Sequence, residues 1–540
     1  MADKPSIQSP PVQPAPNMTP ADWGVLAGYF AVLAITGYLF ARRKQSDTTG
    51  YFLGSRHMPI WAVAVSIVAT SLSAVTFIGV PNSSFGGDLT YLATNLGMIL
   101  AALVIAFFFI PVFYRSNSTS IYDLLERRFD ARARKAASVT FLFGRILASG
   151  VRVYVGAMPA SVLLFGVEHG LEPRYLAPTI AMLAIVGIVY TLAGGISSVI
   201  WSDVLQYLVL MGAAITAIFL ITRTFNAPMP EILGALGTGN NGDSKLKLFD
   251  PSFDLTHSFS LPACIIGFTL LGIGSYGTDQ DLAQRMLTCK SAAHGARSVL
   301  AGILLGIPTV AVFLIVGLGL WIVYQRPELT SINATRSGST DKVFLDYIMT
   351  QMPSGVRGLM MAGLFAAGLS SMNSAINAMG AAFIDDLYRP LNPDQPPRHY
   401  LRVGRTAVVI AGVLLGLCAI GSIYWKNSNG DTLINFALGA MTFAYAGLVA
   451  VFFTALFTKR GNIYTVIIAL ALGFFWMLGS QGFVHDWIFG VTPEDQHPSR
   501  IDQYYNIHFT WKLTIGVGLS MLVCMTGRPR THPHATTPHP

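Results

Sequence analysis

The sequence predicts an all-α polytopic membrane protein with about 13 transmembrane helices, and three observations carry that expectation. Hydrophobic residues make up 52% of the 540 and charged residues only 11%, against the roughly 25% charged share of ordinary soluble domains. The mean hydropathy is +0.53. The apolar residues gather in runs near the length of about 20 that crosses a bilayer core as a helix. None of these runs alternates with the period of two that barrel strands need.

The elements follow in order. Residues 1–22 are polar and proline-rich, read as a disordered N-terminus without the basic start, apolar run and cleavage site of a signal peptide. Candidate spans lie near 23–41, 61–80, 91–114, 137–165, 175–193 and 199–222, then 260–276, 298–324, 358–383, 406–424, 432–457, 463–484 and 512–526. The 527–540 tail, with His532, His534 and His539, reads as an unstructured end rather than a metal site. Most of the 35 Lys and Arg residues fall in alternate loops, above all Arg127–Lys135 and Arg389–Arg405. Basic loops stay cytoplasmic, so the N-terminus is expected outside, the C-terminus in the cytoplasm and 223–259 as an outer loop of a cell (inner or plasma) membrane protein. The net charge of +8 is assigned to this bias, with no nucleic-acid partner. Cys264, Cys289, Cys418 and Cys524 lie too far apart to form a disulfide framework or a zinc site.

Chemistry has few places to reside. The chain has no Walker A pattern, no HExxH and no loop long enough for an ATPase, so no enzyme is expected. Movement of a solute would be driven by an ion gradient or be passive. Span 61–80 crowds hydroxyls at Ser66, Thr70, Ser71, Ser73 and Thr76. Such residues re-satisfy backbone groups at a helix break whose carbonyls hold a cation, or they let helices pack closely. In span 358–383, Ala367, Ser370, Ser371 and Ser374 share one helix face, widened by Asn373 and Asn377. A hard cation such as sodium wants oxygens of this kind.

Five segments then resemble the sodium/solute symporter family in family order, over roughly residues 50–460. They are YFLGSRHMPIWAVAVSIVATSLSAVTFIGVP, IYDLLERRFDARAR, TLAGGISSVIWSDVLQ, GTDQDLAQRMLTCKS and GLFAAGLSSMNSAINA. The family includes sodium-coupled transporters of sugars, inositol, proline, monocarboxylates and sialic acids. The resemblance implies a LeuT-type 5+5 inverted repeat with flanking helices: an extra helix at 23–41, repeats at 61–222 and 260–457, and two C-terminal helices over 463–526. It implies a main sodium site at Ala69, Leu72, Ala367, Ser370 and Ser371. A second sodium or coupling position falls on Asp203, Asn373 and Ser374; Asn373 departs from the Ser or Thr of two-sodium members, and Asp203 pairing with Arg145 is the structural alternative. Sodium is thus the coupling ion, with no organic cofactor. The partners are a small-molecule solute, sodium and the lipid bilayer, and the chain is expected to work as a monomer.

Substrate candidates are Ser73 and Thr76 after the break, Asn95, Arg152 and Tyr276. Arg152 falls near the middle of its span, where an ionised group needs a partner. Two readings stand: a substrate carboxylate, since sialic-acid members place an arginine about one turn away on this helix, or a partner within the protein. The expected function is sodium-coupled symport of a small polar organic solute (a sugar, sugar acid or other carboxylated solute) by alternating access. A sodium-independent channel or a transporter-like sensor is the alternative.

Overall fold

Hydrocarbon offers no partner to backbone N–H and C=O groups, so apolar runs of this length close their hydrogen bonds within helices. The computed structural model describes residues 18–528 apart from 42–47, 117–119, 240–241, 258, 333, 335–341, 430–431, 483 and 485–506. The polar ends, with His532, His534 and His539, lie almost wholly outside the described residues. Among the described residues every regular element is helical, apart from one isolated bridge between Phe225 and Thr330.

The principal helices are α1 (Pro20–Ala41), α2 (Ile60–Ser71), α3 (Ala74–Gly86), α4 (Thr90–Arg115), α5 (Ala131–His169) and α6 (Pro173–Thr222). They continue with α7 (Ala263–Thr278), α8 (Gln280–Leu287), α9 (Ala292–Gln325), α10 (Val356–Ala382, running on as π-turns to Tyr388), α11 (Pro397–Asn429), α12 (Leu433–Phe457), α13 (Ile463–Gly479) and α14 (Phe509–Thr526). Ten described segments are long and apolar enough to cross a membrane; the α2–α3 pair makes an eleventh if it counts as one broken span. The shorter α7 and α13 fall below that length, so length and composition alone stop short of thirteen.

Two expected boundaries change, and one break is kept. Span 61–80 is not one helix: it breaks between Ser71 and Ala74, bends by 64° and runs on to Gly86. Spans 175–193 and 199–222 stand as two apolar helices within α6, Pro173–Leu192 and Gly195–Thr222, which meet at a break at Gly195, whose φ of +61° a side chain would strain. The loop at 223–259 carries a helix of its own, Met229–Thr238.

Packing sorts the helices. The apolar windows of α5, α10 and α12 are 83%, 89% and 83% buried, while that of α1 is 28% buried and leaves most of its surface to lipid. A Cβ at Gly317 would lie 2.0 Å from the carbonyl oxygen of Pro81, so α9 touches the backbone of α3. At one end of the bundle Asp22 of α1 accepts from the N–H groups of Gly355 (2.7 Å) and Gly358 (2.9 Å), capping α10 from outside. At the other end Arg134 of α5 pairs with Asp386 beyond α10 at 2.6 Å. Ser120 donates to the same carboxylate at 2.9 Å.

Candidate functional site

The break in α2–α3 creates two opposed helix ends at mid-bundle. Leu72 leaves the helix in an extended conformation after its N–H bonds to Val68, so the carbonyls that follow Val68 lose their helical donors. These ends carry partial negative charge and suit a cation. On the other side Ser73 and Thr76 form a capping box at the start of α3. That N-terminus carries partial positive charge. Ser73 and Thr76 replace backbone partners lost at the break, and Ser71 donates to the carbonyl of Val68 at 2.9 Å.

Two of the residues expected at the main sodium site, Ala69 and Ser370, meet across this break. The Ser370 hydroxyl lies 3.4 Å from the carbonyl oxygen of Ala69 and donates to Asp203 Oδ1 at 2.6 Å. Ser371 lies 3.3 Å from the carbonyl oxygen of Ala367 one turn back. Ala69, Leu72, Ala367, Ser370 and Ser371 are all buried. The arrangement gathers neutral oxygens beside one carboxylate, a set suited to a hard monovalent cation.

The second group is arranged differently from the expectation. Asp203 does not pair with Arg145: Arg285 Nη2 reaches its Oδ2 at 3.2 Å. Ser66 donates to that oxygen at 2.5 Å, and the Thr70 hydroxyl lies 3.4 Å away. Ser374 sits directly against Arg285. Asn373 faces elsewhere, its amide oxygen accepting from Thr191 at 3.2 Å, so the structure does not bring it to Asp203. A second cation at Asp203 would share the carboxylate with Arg285, and Ser374 would have to turn from Arg285 to join it.

Arg285 belongs to a buried chain of charges at a second helix break. Asp279 separates α7 from α8 in an extended conformation. Arg285 Nη1 pairs with Asp281 at 2.6 Å, Asp281 also contacts Arg145, and Arg145 pairs with Asp279 at 3.0 Å. Tyr445 donates to Asp279 at 2.8 Å. Asp279, Asp281, Arg285 and Tyr445 carry no role in the sequence analysis, and Ser66 and Thr70 stand there only among the hydroxyls of span 61–80, not as partners of Asp203. The signal for three of them was present in GTDQDLAQR, where Asp281 and Arg285 stand four apart and so share a helix face.

A cavity of about 110 Å³ opens on the other side of the break. Thr76, Asn95, Arg152 and Tyr276 all line it, together with Ser71 and Leu72. Ser73 caps α3 and is not among the lining residues. Asn95 donates to the carbonyl of Leu92 at 3.0 Å. Arg152 is 7% exposed, and among the described residues it has no carboxylate within ion-pair distance; its Nη2 lies 3.0 Å from the thioether of Met441, a weak acceptor.

Comparison with known proteins agrees with this geometry. The profile of the sodium:solute symporter family matches residues 51–473. The chain is 29% identical over 465 residues to the sodium/sialic acid symporter SiaT of Proteus mirabilis, covering 85% of this chain and 89% of that one. It is 31% identical over 449 residues to the sodium/sialic acid symporter NanT of Aliivibrio fischeri, covering 82% and 84%. A solved substrate-bound, outward-open structure of a sodium-coupled sialic acid symporter superposes with a TM-score of 0.75 at 25% identity, over 94% of this chain and 97% of that one. The fold is LeuT-type, built around helices broken at Leu72–Ser73 and at Asp279. With the family profile matched over most of its length, the chain belongs to the sodium:solute symporter family.

Proposed function

We propose that this symporter carries a carboxylated sugar of the sialic acid type, with sodium held at Ala69, Leu72, Ala367, Ser370 and Ser371. One observation carries the choice of an acid over a neutral sugar: Arg152 lines the cavity with no carboxylate partner among the described residues. A guanidinium cannot shed its proton in a protein. A bidentate substrate carboxylate would supply the matching charge, with the N-terminus of α3 as a second source of positive potential. Thr76, Asn95 and Tyr276 offer hydroxyl and amide groups for a polyhydroxylated ring. The names of the two bacterial relatives point to the same solute class.

Sodium couples to this cavity through α2. Leu72 lines the cavity and stands at the break with Ala69, so a cation that tightens the break also shapes the wall that meets the solute. Asp203 is the proposed second coupling position. Two sodium ions with one monovalent acid would move one net positive charge per cycle, and a single sodium would make the cycle electroneutral. The repeats at 61–222 and 260–457, a monomeric working unit and an N-terminus outside the cell complete the proposal.

The test is ligand-dependent thermal stability of the purified protein. Sialic acid with sodium should raise the melting temperature, because a ligand bound to the native state stabilises it by mass action. Potassium in place of sodium should abolish the shift, and glucose or myo-inositol should give none. A shift from a neutral polyol and none from sialic acid would overturn the choice of solute.

A further inference from the structure

On the outside of the bundle, away from the transport cavity, an apolar groove of about 250 Å³ lies between α5, α10 with its π-turn extension, and α11. Leu142 and Ile146 form one wall, Met379 and Phe383 the floor, and Ile410 and Leu414 the other wall. Ile410 is 55% and Leu414 40% exposed, so the groove opens sideways onto the surface that meets lipid. Its polar end is marked by Thr406 and Tyr388, whose hydroxyl is bonded to His399 at 2.8 Å.

Three basic residues without a carboxylate partner among the described residues stand toward that end. Lys135 precedes Leu142 by seven residues on α5 and therefore shares its face. Arg402 lies one turn before Thr406 on α11, exposed, with Arg398 a further turn out. Among the described residues none of these three has a carboxylate within ion-pair distance. The nearby acids are engaged: Asp386 with Arg134 and Asp385 with Arg389.

We propose that this groove seats one acyl chain of an anionic phospholipid, with the phosphate held between Lys135 and Arg402. An apolar trough with unpaired cations toward its polar end is complementary to a lipid that is apolar along its tail and negative at its head. The site touches transport because α10 carries Ser370 and Ser371 and α5 carries Arg152. A lipid wedged between these helices and α11 bears on how they move past one another.

Native mass spectrometry of the protein, released from nanodiscs of phosphatidylcholine and phosphatidylglycerol, tests this. The wild type should retain one phosphatidylglycerol in preference to phosphatidylcholine. Lys135→Gln and Arg402→Gln should each weaken that preference by roughly fivefold, the worth of one basic side chain near an anionic surface. Ala407→Phe, which fills the groove, should remove retention of both lipids. Lys135→Gln and Arg402→Gln change partly or fully exposed side chains, so a folding defect in Ala407→Phe would leave those two measurements standing. Equal retention of both lipids by the wild type, or an unchanged preference in both charge variants, would overturn the proposal. A second copy of the chain in place of lipid, lost in Ala407→Phe, would overturn it as well.

Discussion

Arg285 and Asp203 meet at 3.2 Å in the middle of the bundle, although 82 residues separate them and both side chains are almost wholly buried. Arg285 reaches Asp281 with its other amino group, and Asp281 in turn contacts Arg145. The two helix breaks are thereby joined: Asp203 accepts from Ser66 of α2, and the far end of the chain is Asp279 between α7 and α8. The charge network and the cation-type oxygens share Ser370 and Asp203, so neither changes without the other.

Removing one member of a buried pair leaves a charge without compensation, which costs about 3–5 kcal/mol. Asp203→Asn should lower the melting temperature of the purified protein and reduce the sodium dependence of transport together. Arg285 keeps Asp281, so the loss should fall at or below the lower end of that range. The double variant Asp203→Asn/Arg285→Gln should recover part of the lost stability. Equal stability of Asp203→Asn and wild type would show that the pair carries no structural weight.

Ser371→Ala removes one oxygen beside Ala367 with little change in packing. The sodium concentration for half-maximal uptake should rise by roughly tenfold, corresponding to about 1.4 kcal/mol for a lost contact to a charged group. The amount of folded protein should stay near the wild-type level. If Ser370→Ala and Ser371→Ala both leave the sodium dependence untouched, the main site is placed wrongly.

Topology is open to a labelling test. Ala133 is fully buried and a poor probe, whereas Ala131 and Ser244 are exposed. In a background lacking Cys264, Cys289, Cys418 and Cys524, Ser244→Cys should react with an impermeant reagent from outside the cell. Ala131→Cys should react only after the membrane is opened. Labelling of both from one side would contradict the alternation of loops.

Arg152→Lys keeps the positive charge and loses the planar fork that matches a carboxylate. The KM for an acidic solute should rise by roughly 10- to 100-fold, the worth of one or two hydrogen bonds to a charged group. The melting temperature without solute should change little. Unaltered KM would make Arg152 a structural residue.

Much of this was legible in the sequence where neighbours in the chain are also neighbours in space. The cluster from Ser66 to Thr76 admitted a break as one of two readings, the other being close packing, and the spacing of Ala367, Ser370 and Ser371 put them on one polar face. Asp203 with Arg285 was not legible, because the pairing spans 82 residues and GTDQDLAQR reads as a charged loop between two apolar runs. Arg285 was counted with the loop charges and is buried. Asn373 sits at the right spacing yet faces Thr191, since a helix of 27 residues, about seven turns, offers several polar directions and the neighbour across each decides its use. The break at Gly195 was legible, because a double glycine between two apolar runs marks a place where the backbone leaves the helix.

The central claim is sodium-driven accumulation of a sugar acid, and uptake into proteoliposomes measures it directly. With an inward sodium gradient, labelled sialic acid should accumulate above its external concentration, and collapse of the gradient should release it. Accumulation that is indifferent to sodium, or concentrative uptake of a neutral sugar with none of sialic acid, would contradict the account.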